Sequence, residues 1–483
     1  MCRERLFNHG NRQRERTPIP NTVAYVALYA WPAVCVLLFV MLPVEKAAIW
    51  SLLAGYLLLP SATSIDVALL PPLDKYSIPA LSTFLLCAMR GTQTPRPRRS
   101  LLIYVCALAF VVSPLFTSLN NSYELHIGDK SLPGFYPMDG VKLALQNLIT
   151  LAPFFIGLRY LGSDDGRAVL LRAIVAAGLV YSLPMLFEVR MSPQLHSWVY
   201  GFFPGGFGQH YRAGGFRPVV FLSQGLEAAL FAALACIAAL IAVRARWQIL
   251  RVPASAASAY LGVVVIMCKT LGAALYAGLV APLVLFTTPR TWVRVSCVIA
   301  LMLAMYPMLR NYDLVPVRRV SAVASSVSAD RAGSFAVRVA NEDVLLAKAN
   351  QKPFFGWGTW GRNRLFDQDS GKSVTITDGA WIIRYGMFGW LGYLSLFGLF
   401  VVSIFSARQG VRGPVTTASI VLGGLTLLLG INLLDLIPNA NLLPFTYLVA
   451  GSIAGQARAR ERAQRRQGVA AARARETTLA VPN

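Results

Sequence analysis

The sequence predicts an all-α fold, a polytopic transmembrane helical bundle of about 12 spans with a large extracytoplasmic loop between late spans. Three observations predict it. Of 483 residues, 55% are apolar and only 14% are charged, where a soluble domain carries about 25% charged residues. Mean hydropathy is +0.54, and apolar runs of about 18 residues or more recur along the chain, as bilayer crossing requires. Basic residues gather in alternate loops, as on the cytoplasmic ends of spans. Together these exclude a disordered chain and an ordinary soluble enzyme. The net charge of +23 would suggest nucleic acid in a soluble protein. Here the positive-inside bias accounts for it, and no nucleic-acid partner is expected.

The elements follow in order. Residues 1–21 form a basic tail with Arg3, Arg5, Arg12, Arg14 and Arg16. The apolar run behind it is long enough to span, so it reads as a retained signal anchor with a cytoplasmic tail. Residues 22–187 hold N-terminal transmembrane runs near 22–43, 47–63, 76–89, 101–119, 141–161 and 168–187. Arg90, Arg96, Arg98 and Arg99 put the loop before the fourth run inside. An inside tail and an inside 90–100 loop require an even number of crossings between them. Pro60, Pro71, Pro72 and Pro79 point to a broken or re-entrant piece among 47–63 and 76–89.

Residues 188–309 open with an outer Arg/Gly loop and continue as runs near 218–243, 253–268, 270–287 and 292–309. Arg244, Arg246, Arg251, Arg290 and Arg294 mark their inner turns. Residues 310–386 form the largest exported loop. A loop above about 15 residues is functional or disordered, and Phe354, Phe355, Trp357, Trp360 and Phe366 favour a folded one. Residues 387–456 hold the last runs, near 387–406, 415–434 and 440–456. The Arg-rich tail 457–483 is expected on anionic cytoplasmic lipid. Six of the seven cysteines lie in apolar runs and Cys2 in the tail, so neither a disulfide nor a thiolate metal site is expected.

Several residues carry candidate chemistry. The segment Gly201 to Pro218 reads GFFPGGFGQHYRAGGFRP and sets His210, Arg212 and Arg217 among glycines and aromatics. It reads as a clamp for an anionic headgroup, since Arg binds phosphate in a bidentate fork, or as an interfacial aromatic belt. Arg331 and Arg338 share a face if residues 328–338 are helical; they read as site residues or as a solvated helix face. Pro353 to Gly358 is a Gly/Trp turn containing Gly356 and Gly358. Asp378, at the mouth of the span beginning near 387, reads as a general base or substrate-orienting carboxylate, or as a helix N-cap. Lys269, between two short runs, reads as a functional cation at the outer turn or as a snorkelling side chain. Glu227 lies inside a span, and the sequence identifies no cation to pair with it. Asp367 and Asp369 match D-x-D, a frequent chance pattern, and no histidine pair has zinc spacing.

In order, these features resemble the O-antigen ligase and O-antigen polymerase superfamily, bacterial inner-membrane glycosyltransferases of the GT-C type. The family's outer-loop R-x-G-x-F resembles Arg212-Ala-Gly-Gly-Phe216. Its basic residue at a span turn resembles Lys269-Thr-Leu-Gly-Ala273. Its Arg ahead of a P-x-x-G-x-G turn resembles Arg338 and Pro353-Phe-Phe-Gly-Trp-Gly358. Its last motif, at the start of a span continuing into G-x-x-G, falls on Asp378-Gly379 with Gly386 and Gly389 following. Ligases of the family carry His near Asp378; polymerases vary more there, so the polymerase reading is preferred.

The resemblance covers roughly residues 200–400 and implies a multi-pass protein of the bacterial inner membrane, its active site facing the periplasm. It implies transfer of a glycan from polyprenyl pyrophosphate to an acceptor sugar hydroxyl, without metal or cofactor. Asp378 and Arg338 would be catalytic. Arg212, Arg217 and Lys269 would bind pyrophosphate, and His210, Arg331, Gly356 and Gly358 would form the substrate loop. Partners would be the lipid-linked glycan, membrane lipids and a chain-length regulator. The alternatives are a ligase acting on lipid A core or protein, and a transporter or flippase. The absence of repeated Gly/Pro-broken spans weighs against the last.

Overall fold

The computed structural model describes residues 20–67, 70–91, 100–128, 130–212, 214–316 and 329–455. Most of both basic tails, Arg96, Arg98, Arg99 and Ala213 lie outside them. The helices are α1 (Thr22–Met41), α2 (Val44–Leu58), α3 (Ser77–Arg90), α4 (Leu101–Leu119), α5 (Pro137–Tyr160), α6 (Asp164–Met191), α7 (Leu195–Tyr200), α8 (Gly225–Arg244), α9 (Ala254–Met267), α10 (Leu271–Phe286), α11 (Pro289–Asn311), α12 (Ala329–Ala349), α13 (Ala380–Gly410), α14 (Thr417–Asp435) and α15 (Pro444–Ala454). The named strands among the described residues form short two-stranded antiparallel hairpins in the connections.

Among the described residues, eight helices are long and apolar enough to cross a bilayer: α1, α4, α5, α6, α8, α11, α13 and α14. This is a multi-pass membrane protein. Helices are its spanning elements because hydrocarbon supplies no partner for a free backbone group. Local chemistry sets their starts. Asn21 Oδ1 accepts the Ala24 amide at 3.0 Å at the head of α1, Ser163 does the same for Gly166 in α6, and α11 begins with Pro289 at a first-turn position.

The bundle has two ends. One carries residues 192–212, 214–224, 312–316 and 350–379; the other carries Arg90, Arg244, Arg290 and Arg408. At the basic end, Arg244 donates to the carbonyls of Val284 and Thr287, Arg290 donates to those of Val411 and Gly413, and Tyr160 donates to that of Cys87. At the loop end, the Tyr200 hydroxyl donates to the Leu58 carbonyl, and Ser61 pairs with His196 at 3.1 Å.

Asn21 also lies at the loop end. Its amide donates to Tyr200 O at 3.0 Å and its side chain to Val199 O at 2.9 Å. This corrects the expected parity. Neither 47–63 nor 76–89 turns back: α2 and α3 both run between the two ends. The prolines at 60, 71 and 72 sit in the hairpin connection joining them, and Pro79 sits in the first turn of α3. Residues 20 and 455 consequently lie at opposite ends.

α8 and α14 form the buried centre, while α1 faces outward along much of its length. Small residues let helices meet backbone to backbone, the usual device where lipid weakens the hydrophobic drive. A Cβ on Gly157 of α5 would fall 2.2 Å from Leu448 O of α15, and one on Gly451 would fall 2.0 Å from Phe154 O. Gly451→Val is therefore expected to lower stability by about 1–3 kcal/mol through overpacking. Gly278→Ala, where a Cβ meets nothing within 4 Å, is expected to leave stability unchanged or slightly raised. Thermal unfolding of the two variants in detergent checks both.

Candidate functional site

The site is built around a break in α13. Gly389 adopts φ +58°, ψ −160°, interrupting the helix within the apolar span. The freed backbone groups bond to the turn Pro353 to Gly358. Trp390 N donates to Pro353 O at 2.7 Å and Leu391 N to Phe354 O at 3.2 Å; in return Trp357 N donates to Gly386 O and Gly358 N to Met387 O, both at 2.9 Å. The approach excludes side chains: a Cβ at Gly389 would stand 2.4 Å from Phe354 C, and one at Gly356 2.4 Å from Met387 C. Gly356 and Gly358 have φ +69° and +85°, values that glycine adopts without strain. Both are buried against neighbouring backbone and rings, so their evident work is to admit this packing.

The docked turn fixes α12. Trp357 Nε1 donates to Lys348 O at 2.8 Å. Arg362, buried, donates to the carbonyls of Trp357, Tyr123 and Pro133, tying the turn to the 120–135 connection. With α12 and the head of α13 both held, Arg338 and Asp378 meet as an ion pair at 3.1 Å, the side chains 41% and 36% exposed. The N-cap of α13 is Gly379, so the cap reading of Asp378 fails and its carboxylate faces a guanidinium. Arg331 lies in the opening turn of α12, where side chains fall outside the described residues.

Sequence reasoning missed Glu342, one helical turn beyond Arg338. It is largely buried, accepts from Trp381 Nε1 at 3.4 Å and lies 3.8 Å from Arg310, which also pairs with Asp343 at 2.6 Å. Burial raises its pKa from an ordinary 4.5 to about 7, opposed by Arg310 and reinforced by Asp343 and Asp378. Its one signal was its spacing from Arg338, which places both on one helix face.

A second cluster forms where the 201–218 segment meets the turn between α9 and α10. Lys269 occupies that turn at φ +51°, at the loop end. The Arg217 guanidinium donates to its carbonyl at 3.2 Å, and its ammonium lies over Gly215, where a Cβ would come 2.0 Å from Nζ. His210 is buried beside Arg217, and burial with that positive charge lowers its pKa. Arg212 sits exposed on a two-residue strand paired with Gly215 and Phe216. Residues 436–443 stand between the clusters: Ala380 N donates to Leu436 O and Asn439 O, and Gln224 pairs with Asn441 at 3.1 Å.

Buried carboxylates brace this region. Glu188 accepts the amides of Leu195, Val219 and Val220 at 2.9, 2.7 and 2.7 Å, joining α6, α7 and the approach to α8. Glu227 accepts from Ser223, and Lys75, itself buried and donating to Phe221 O at 2.9 Å, is a cation near it. Asp367 spends Oδ1 on Ser370 N and Oγ, both at 2.7 Å, closing a turn. A scan against protein-family models and a search of curated proteins found no match for the chain.

Chemically, the arrangement offers cations for an anion, and beside one of them a carboxylate that holds its proton near neutral pH. Two outcomes follow. Glu188→Ala strands three buried amides, each costing about 1–3 kcal/mol. It is expected to lower stability by about 3 kcal/mol or more in detergent melts, and Glu188→Gln by less. For Glu342, the folded protein holds the proton more tightly than the unfolded chain. Its protonation favours folding fully below pH 4.5, and that advantage is lost as pH rises through about 7. Glu342→Gln is therefore expected to flatten the fall in melting temperature between pH 5 and 8.

Proposed function

We propose that the chain is a metal-independent membrane glycosyltransferase of the O-antigen polymerase type. In this reading it polymerises lipid-linked oligosaccharide repeats of an O-antigen or exopolysaccharide. The observation that carries the reading is the Arg338–Asp378 pair with the buried Glu342 beside it, at the loop end of a span-rich bundle. The positive-inside bias supports a cytoplasmic basic end and a periplasmic loop end in a bacterial inner membrane. The end-to-end run of α2 and α3 supports all apolar helices crossing, α7 and α12 excepted, with residues 20 and 455 on opposite sides.

The reaction divides as follows. An acceptor sugar hydroxyl attacks the anomeric carbon of the lipid-linked glycan. The new carbon–oxygen bond forms as the bond to pyrophosphate breaks. The hydroxyl proton passes to a carboxylate, and Glu342 suits this because an effective base has a pKa near the working pH. Asp378 orients the acceptor and holds Arg338. Arg338, Arg212, Arg217 and Lys269 stabilise the charge left on the lipid pyrophosphate. Positioned donors are worth most at charge that develops in the transition state.

In a deletion strain, Arg338→Ala, Arg212→Ala and Asp378→Ala, blotted for normal protein level, are expected to lose long surface polysaccharide. Removal of one such donor typically lowers the rate by about 10²–10³. Retention of single repeats on the acceptor identifies a polymerase. Loss of all attached glycan, with lipid-linked polymer accumulating, identifies a ligase acting on lipid A core or protein. Unchanged long glycan in all three variants rejects the transferase reading.

A further inference from the structure

A depression opens at the loop end, lined by none of the residues of the two cationic clusters. Its volume is about 370 Å³, within the range of ligand pockets. Its wall joins three parts of the chain distant in sequence: Asp74 before α3, Asp139, Lys142 and Gln146 on α5, and Thr359 and Trp360 beyond the docked turn.

Three observations mark it as built for a ligand. The first is Trp360, whose backbone sits at φ +55°, a left-handed conformation that bulky residues rarely adopt. Its ring is 48% exposed and braced edge-on by Phe135 at a 5.5 Å centroid distance. The second is a pair of solvent-shielded polar atoms, Gln146 Oε1 and Thr359 Oγ1, with no hydrogen-bond partner among the described residues. Such atoms are costly unless something satisfies them. The third is rigidity. Asp74 Oδ1 accepts the amides of Tyr76 and Ser77 at 2.9 and 2.8 Å, and Asp139 Oδ2 accepts the Tyr136 amide at 3.0 Å, so both carboxylates are fixed at the wall.

The chemistry selects the ligand. Two carboxylates against one lysine oppose an anion, which argues against a phosphate headgroup. Unpaired amide and hydroxyl oxygens beside fixed carboxylates suit a ligand rich in hydroxyl donors. An exposed tryptophan ring offers a flat apolar face with no demand for charge. A pyranose presents both kinds of surface at once, hydroxyls at its edge and C–H groups on its face.

We propose that this depression binds a neutral or amino sugar residue of the glycan, so that the sugar is read at Trp360, Gln146 and Thr359, apart from the reacting groups. The proposal rests on the glycosyltransfer reading above.

The test uses the full chain, purified in detergent, on an array of immobilised neutral, amino and acidic mono- and oligosaccharides. Wild type is expected to bind neutral or amino sugars. Trp360→Gly removes the ring while suiting the left-handed backbone, and Gln146→Leu removes a polar wall atom. Each is expected to weaken binding roughly tenfold without lowering the melting temperature, while Gly278→Ala, remote from every proposed site residue, binds as wild type. Failure of wild type to bind any such sugar, or equal binding by both wall variants, overturns the subsite. Preference for acidic sugars overturns it equally. Loss of long glycan in Asp378→Ala alongside such a result sinks the subsite alone. Persistence of long glycan in Arg338→Ala, Arg212→Ala and Asp378→Ala sinks the transferase reading itself.

Discussion

The arrangement of this protein's loop end depends on how the break in α13 at Gly389 is satisfied. A helix interrupted within an apolar span exposes backbone groups where water is scarce, and each must find a partner. The turn Pro353 to Gly358 supplies those partners at distances of 2.7–3.2 Å. Glycine is required on both sides, at 389 in the helix and at 356 in the turn, because a Cβ at either would overlap backbone. A connection that is long in sequence is thereby anchored at a fixed depth. α12 follows through Trp357 and Lys348, and the 120–135 connection follows through Arg362.

That anchoring explains how exposed charges can act as a site. The Arg338–Asp378 pair is partly solvated, and such pairs contribute about 0–1 kcal/mol to stability. It holds little together, and the backbone docking beneath it places it. Glu342 differs because it is buried beside Arg310 and Trp381. Burial raises its proton affinity, the usual means of tuning a carboxylate for acid–base work. The cluster of Arg217, Lys269 and His210 is placed by Glu188, whose three backbone hydrogen bonds tie α6 to the approach to α8.

Topology follows from the same accounting of backbone and charge. Proline within 60–79 suggested a segment that fails to cross. Pro60, Pro71 and Pro72 instead lie in a connection at the loop end, and Pro79 lies in the first turn of α3. A proline is tolerated in a first turn because that amide has no helical partner anyway. Asn21 beside Val199 and Tyr200 then sets the head of α1 at the loop end.

Apolar runs by themselves determined the all-α, multi-pass class, and each run coincides with a helix, because length and hydropathy are local properties. The motifs also stood out in sequence, since glycine, proline and arginine mark unusual backbone or charge wherever they occur. What sequence could not decide is which of them touch. The pairing of Arg338 with Asp378, of Lys269 with Gly215, and of Pro353 to Gly358 with the break at Gly389 joins residues through space. Glu342 went unnoticed in sequence, because its perturbation comes from burial in the packed structure. The nearness of Lys75 to Glu227 was equally hidden, since the two are far apart in sequence. Only the tertiary structure decided these, for burial and proximity are properties of the packed bundle and not of any one segment.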